Sequence, residues 1–140
     1  MSTIHRFIGQ KNDFSWEGVE ATIYGEKDGP KAASKRELIN ETRDGAGHFV
    51  FRYFRIMPGG SSTMFDKHIH DHGVLILHGH CKVTINEDTF DAGPMDVIYV
   101  SPNDVHHFVV EGDEPLGFLC VIPNKKLLDS DQPFVDACVM

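Results

Sequence analysis

DKHIHDHGVLILHG, residues 66–79, decides the fold and points to the chemistry. Three histidines, His68, His70 and His72, alternate along it, and an apolar run from Val74 to Leu77 follows and closes at Gly79 after His78. Successive side chains of an extended chain point to opposite faces, so residues two apart line one side. The spacing therefore predicts a β-strand on which Asp66, His68, His70 and His72 share a face. Seven of the nine histidines of the chain fall between positions 68 and 107. Neutral imidazole suits zinc, copper, iron and nickel, whereas carboxylate and water ligands draw a site toward manganese, magnesium or calcium. A face with several histidines and at most one acid predicts a transition-metal site. Taken alone, the tract is also compatible with a solvated histidine-rich loop.

Working outward, FVFRYFRIM (49–57) is dense in aromatic and branched residues and stops at Pro58-Gly59-Gly60, which is turn chemistry. This predicts a strand followed by a turn. Beyond the histidines, strands are predicted at Gly73 to Leu77, Cys81 to Ile85, Asp96 to Val100, His106 to Val110 and Gly117 to Ile122. Gly-, Asn-, Asp- and Pro-containing turns separate them. Short strands at regular spacing argue for an antiparallel sandwich or barrel. Residues 1–47 are polar and mixed, with an apolar run at Val19 to Tyr24 and a helical turn expected near Lys35 to Glu41. They read as an N-terminal arm that packs on the barrel. Residues 124–140 read as a C-terminal arm.

At 140 residues and 41% hydrophobic, the chain fits one domain with a real core. A formal net charge of -8 and the lack of clustered Lys and Arg argue against nucleic acid as a partner. Cys81, Cys120 and Cys138 are too few and too scattered for a disulfide framework, and no CxxC spacing occurs. They read as reduced, buried thiols with no cue for a lowered pKa. No stretch approaches the ~18 apolar residues of a membrane span, and the start of the chain has no apolar signal core. A soluble cytoplasmic protein with no membrane partner is the expectation.

Two segments carry a family resemblance. Pro58-Gly59-Gly60, His68-x-His70-x-His72 and Val74-Leu75-Ile76-Leu77-x-Gly79 resemble the first motif of the cupin superfamily. Gly93-Pro94-x-Asp96-Val97-x-Tyr99-Val100-x-Pro102-x-x-x-His106-x-Phe108 resembles the second. The stretch Gly112 to Pro123 is similar to the strand that follows in small single-domain cupins. Both motifs occur in order and at the usual separation, which is far more specific than either alone.

The resemblance implies an all-β, single-domain cupin jelly-roll barrel over residues 48–123, with one divalent transition metal (Fe, Mn, Ni, Cu or Zn) in its mouth. His106 takes the histidine position of the second motif. The first motif departs from the common His-x-His, turn, Glu-or-His pattern. Counting back from Gly79 without gaps puts His72 on the Glu-or-His position, His68 on the second histidine and Asp66 on the first. With a shortened turn, His68 and His70 form the pair and His72 follows. Both alignments keep His68 and His72; the ligand set His68, His70, His72 and His106 is preferred, with Asp66 as the competing fourth ligand or as the carboxylate that orients a ring.

His78 and His80 flank Gly79 and are expected at an exposed turn; His5 and His48 stand alone. Val74 and Ile76 continue the His72 face inward, with Phe108 and Phe118 or Tyr99 adding apolar lining. That lining suits a small, partly apolar substrate, and it is also ordinary barrel core. The resemblance implies first a metal-dependent oxidoreductase of the cupin dioxygenase kind, similar to small quercetinase-like proteins, acting on an enol, diol or aromatic substrate. A non-redox metal-dependent lyase or isomerase, with Asp66, Tyr99 or an unligated histidine as base, is the second reading. A non-catalytic module binding a small molecule or metal is the third. Cupins of this size commonly pair through barrel edges, so a homodimer is expected.

Overall fold

The computed structural model describes residues 1–25, 32–61 and 69–128. Among these residues nine strands form: β1 (Ala21–Gly25), β2 (Ala32–Ile39), β3 (Phe49–Ile56), β4 (His72–His78), β5 (His80–Ile85), β6 (Asp88–Ala92), β7 (Val97–Val100), β8 (His106–Glu111) and β9 (Leu116–Pro123). One short helix, α1 (Glu41–Asp44), links β2 to β3, and a 3₁₀ turn at Lys125–Leu127 follows β9.

All strand pairings are antiparallel. A six-stranded sheet runs β1-β2-β3-β9-β4-β7 and a three-stranded sheet runs β6-β5-β8. Strands adjacent in the large sheet come from far apart in sequence, as β3, β9 and β4 do, which is the interleaving of a jelly roll. The fold is the β-barrel that the motif resemblance implies.

Alternation along β3 explains the layering. Phe54 and Ile56 are buried in one core cluster, while Tyr53 on the opposite face is buried in another. The inner cluster lies between the sheets and includes Phe54, Ile76, Val83, Phe108 and Phe118, all fully buried. Each such side chain contributes about 1.5–3 kcal/mol by leaving water. The second cluster lies on the outer face of the large sheet, where Phe14 and Trp16 cover Tyr53, Leu38 and Val19. Trp16 sits edge-on to Tyr53 at 5.4 Å and Phe14 stacks on it at 5.7 Å.

Two expectations change. The segment near Lys35 to Glu41 is strand as far as Ile39, because β2 pairs with both β1 and β3; the helical turn begins only at Glu41. Asn40 caps that turn by accepting from Arg43 N at 2.8 Å, and Gly45 ends it at φ 71°. β6, the polar DTFDA segment, was not anticipated. Its residues are exposed except Ala92, so it carries little of the apolar alternation that marks a half-buried strand.

Candidate functional site

Three of the four histidines of the preferred ligand set lie in described residues, and the fold brings them together. His72 opens β4, His106 opens β8, and His70 sits in the bend just before β4. All three are buried, at 3%, 1% and 1% exposure for His70, His72 and His106. The His70 and His72 rings are 4.7 Å apart between centroids, and the His72 and His106 rings 5.0 Å. His72 and His106 come from opposite sheets, so the cluster forms only when the barrel closes. His68 and Asp66 lie outside the described residues, as does Cys138.

Neighbouring groups orient two of the rings. His106 Nδ1 is 3.0 Å from the Asp104 carbonyl oxygen. A carbonyl only accepts, so Nδ1 is the donor in this contact. His72 Nδ1 contacts Cys120 Sγ at 3.4 Å on β9. Imidazoles gathered in a buried barrel mouth match the donor chemistry of a late first-row transition metal. Among the described residues no three His, Cys, Asp or Glu side chains form a complete metal-holding group.

Cys120 is a neighbour that spacing did not reveal. Register sets it across from Arg52 on β3 and Val74 on β4, and it receives a hydrogen bond from Arg52 Nη2 at 3.1 Å. Burial raises its thiol pKa, against the lowering effects of the Arg52 charge and hydrogen bond, so the sulfur is protonated at neutral pH. Burial pushes the Cys81 thiol up to about 12. The reading of both as unactivated thiols agrees with this chemistry.

The expected lining is corrected at one position. Val74, Ile76, Phe108 and Phe118 are buried in the barrel, but Tyr99 is 61% exposed on the edge strand β7 and its hydroxyl donates to Asp71 at 2.9 Å. It lines an outer pocket that reaches His72 past Asp71, Gly73 and Val121. Tyr99 therefore stands outside the barrel interior.

His78 is a second correction. It is buried at 6% exposure rather than exposed at a turn, whereas His80 is exposed as expected. The β4–β9 register shifts between Ile76 and His78, and this bulge turns the His78 ring to the outer face, over Gly117. There His78 Nδ1 donates to the Pro115 carbonyl at 2.8 Å, leaving Nε2 to accept from the Tyr53 hydroxyl at 2.5 Å. Desolvation lowers its pKa from 6.5 despite the opposing carbonyl hydrogen bond. Protonation would remove the acceptor Tyr53 uses. A histidine with a depressed folded pKa supports the fold fully above its unfolded value, and that support is lost as pH falls below about 6.5 toward the folded value. An NMR titration should place the His78 midpoint below 6.5, and a midpoint above it would contradict the neutral assignment.

Of the isolated histidines, His5 bonds Asp44 Oδ1 at 2.6 Å. Burial alone would raise the Asp44 carboxyl, but bonds from Thr3, the Asn40 N–H and His5 outweigh it and hold the pKa at about 2. This cluster pins the start of the chain to α1. His48 is exposed.

Comparison with known proteins supports the same assignment. A 1-methylthio-D-xylulose 5-phosphate methylsulfurylase from Rhodospirillum rubrum is 31% identical over 113 residues, covering 80% of this chain and 70% of that protein. A cupin 2 conserved barrel domain protein from Rhodopseudomonas palustris superposes with a TM-score of 0.72 at 27% identity, covering 86% of this chain and 80% of the other. The polyketide cyclase RemF from Streptomyces resistomycificus superposes with a TM-score of 0.67 at 28% identity, covering 96% and 91%. The Cupin_2 family model, described as a cupin domain, matches residues 52–122, and with both motifs, the barrel and the histidine cluster accounted for, the chain belongs to that cupin family.

Proposed function

We propose that this protein is a metal-dependent enzyme that acts on a small substrate through a carbonyl or enolate oxygen. The observation that carries the reading is the convergence of buried His70, His72 and His106 from two sheets in the barrel mouth. His68 is the proposed fourth ligand. One divalent transition metal bound there would supply Lewis acidity to the substrate oxygen. The chain's own residues set the rest: Asp104 fixes the His106 tautomer, Cys120 borders His72, and Phe108 and Phe118 keep the barrel interior apolar. Charge interactions gain strength in such a dry interior.

Two outcomes follow from an enolate held this way. Rearrangement, elimination or group transfer without oxygen is favoured by the names of the relatives: a methylsulfurylase and a polyketide cyclase are both above 25% identity. Oxidative cleavage of the dioxygenase kind is the second outcome, and the imidazole donor set supports it because it accommodates iron, nickel and copper. Tyr99, exposed and bonded to Asp71, is not available inside the barrel as the base that the first outcome needs, which leaves Asp66 or an unligated histidine as the proposed base.

Turnover of an enolisable substrate under strict anaerobiosis would establish the non-oxidative outcome. Oxygen consumption in step with substrate loss would establish the oxidative one. Metal-loaded protein that binds such compounds without converting them in either atmosphere would refute the enzymatic proposal in favour of a binding module. The large sheet ends at β7, where Val97 is 77% exposed beside Tyr99. An open edge with apolar side chains is a pairing liability, so a homodimer is proposed, and a monomer mass by light scattering at micromolar concentration would refute it.

A further inference from the structure

Arg52 is a cation in an apolar place. It lies on the inward face of β3 with Phe54 and Ile56, and it is 2% exposed. Its Nη2 donates to Cys120 Sγ at 3.1 Å, and its guanidinium carbon lies 4.9 Å over the Phe54 ring. Its Nε is buried with no hydrogen-bond partner. Neither of these two contacts engages the Nε–H. Glu37, directly across in the β2–β3 register, is the nearest candidate counter-ion by topology, yet its carboxylate accepts from Asn40 Nδ2 at 3.1 Å. Among the described residues no Asp or Glu stands within ion-pair distance of Arg52. A buried charge is costly unless a partner offsets it, which is why unpaired buried ions are rare.

A second orphan packs on the same Phe54 ring. Tyr24 on β1 packs against the inner core with its ring edge-on to Phe54 at 6.5 Å, and its hydroxyl is buried without a partner. Burial raises its pKa against the lowering pull of the Arg52 charge, so it remains an O–H donor. A guanidinium N–H and a phenolic O–H, both donors and both unsatisfied, call for one acceptor of negative charge. Arg52 also leads to the histidines: Cys120, which it touches, touches His72.

We propose that Arg52 and Tyr24 form an oxyanion-binding subsite inside the barrel that takes the carboxylate or phosphate group of the substrate, beside the histidine cluster. This rests on the enzymatic reading above and narrows its substrate to small anions. The subsite satisfies the Arg52 Nε–H and the Tyr24 hydroxyl when filled. Among the described residues nothing else offsets the charge.

Calorimetric titration of the metal-assayed protein with pyruvate and, separately, with inorganic phosphate tests this, with ionic strength held by sodium chloride. One of the two should bind, and which one does identifies the source of the oxyanion. Arg52→Met should weaken that binding at least about tenfold, the scale of a lost hydrogen bond to a charged group, while metal content stays at the wild-type level. Tyr24→Phe should weaken it by a smaller factor. Because methionine replaces an ion with no acidic partner among the described residues, the Arg52→Met melting temperature should be equal to or above that of the wild type.

Undiminished binding in Arg52→Met would assign the anion to the metal alone and overturn the proposal. So would failure of both probes to bind metal-replete wild type, or a lower melting temperature in Arg52→Met, which would reveal a structural ion pair. If Arg52→Met does not fold, unchanged affinity in Tyr24→Phe overturns it. Absence of metal in every sample would instead count against the enzymatic reading, so the two failures are distinct.

Discussion

Protein carrying His106→Ala is expected to emerge from purification with no more than about a tenth of the wild-type metal content, since loss of even an outer-shell partner costs ~10–100-fold in metal affinity. The expectation follows from position. His106 is 1% exposed at the start of β8, its ring meets His72 across the gap between the two sheets, and its Nδ1–H is committed to Asp104 O. Alanine leaves the β5–β8 pairing intact because the strand bonds through its backbone, so the variant should fold while losing a donor. Elemental analysis with no metal added after lysis is the measurement. Near-stoichiometric metal in wild type that is lost in His106→Ala would confirm the site; metal retained in the variant would remove His106 from the ligand set. His70→Ala and Asp66→Asn, measured beside it, decide the remaining ligand. Loss only in the first gives the four-histidine set, and loss only in the second gives the carboxylate set.

The parts of this molecule that were legible in the sequence are those where a local rule and the tertiary structure agree. FVFRYFRI is dense in aromatic and branched residues, and β3 forms there and ends before the glycine turn, with Gly59 at φ 84°. His70 and His72 were placed on one face by their spacing, and both are buried with rings in contact, although His70 precedes the strand rather than lying within it. His78 is expected at an exposed turn because it adjoins Gly79, and neither that position nor strict alternation foresees the bulge that sends Leu77 and His78 to the outer cluster in succession. β6 was missed because an exposed polar strand is specified by its partner β5 through backbone pairing, not by its own side chains. Arg52 and Cys120 were missed for a different reason. Their significance lies in a cross-strand register between residues 68 positions apart, and no local pattern encodes that.

The glycine that closes the first motif gives the second large expected effect. Gly79 turns the chain from β4 into β5 at φ 77°, a left-handed conformation that costs a residue with a Cβ about 1–2 kcal/mol. Space is the larger obstacle. A Cβ built there would stand 2.4 Å from the Pro115 carbonyl oxygen and 2.8 Å from the Leu116 Cα, and both are backbone at the entry to β9. That carbonyl is also the acceptor for His78 Nδ1, so any retreat of β9 loosens the His78–Tyr53 pair beneath the N-terminal arm. Gly79→Ala should therefore lose about 2–5 kcal/mol, an overpacking cost of ~1–3 kcal/mol added to the conformational one. Gly112 supplies the control. It has nearly the same φ, 82°, but an added Cβ meets nothing within 4 Å, so Gly112→Ala should lose only the conformational part, about 1–2 kcal/mol. Urea unfolding of the two variants beside wild type separates the terms. Equal losses would mean that backbone conformation alone selects glycine at position 79, whereas a clear excess in Gly79→Ala shows that the motif glycine is required by the close passage of β9, which carries Cys120 to its place against Arg52 and His72.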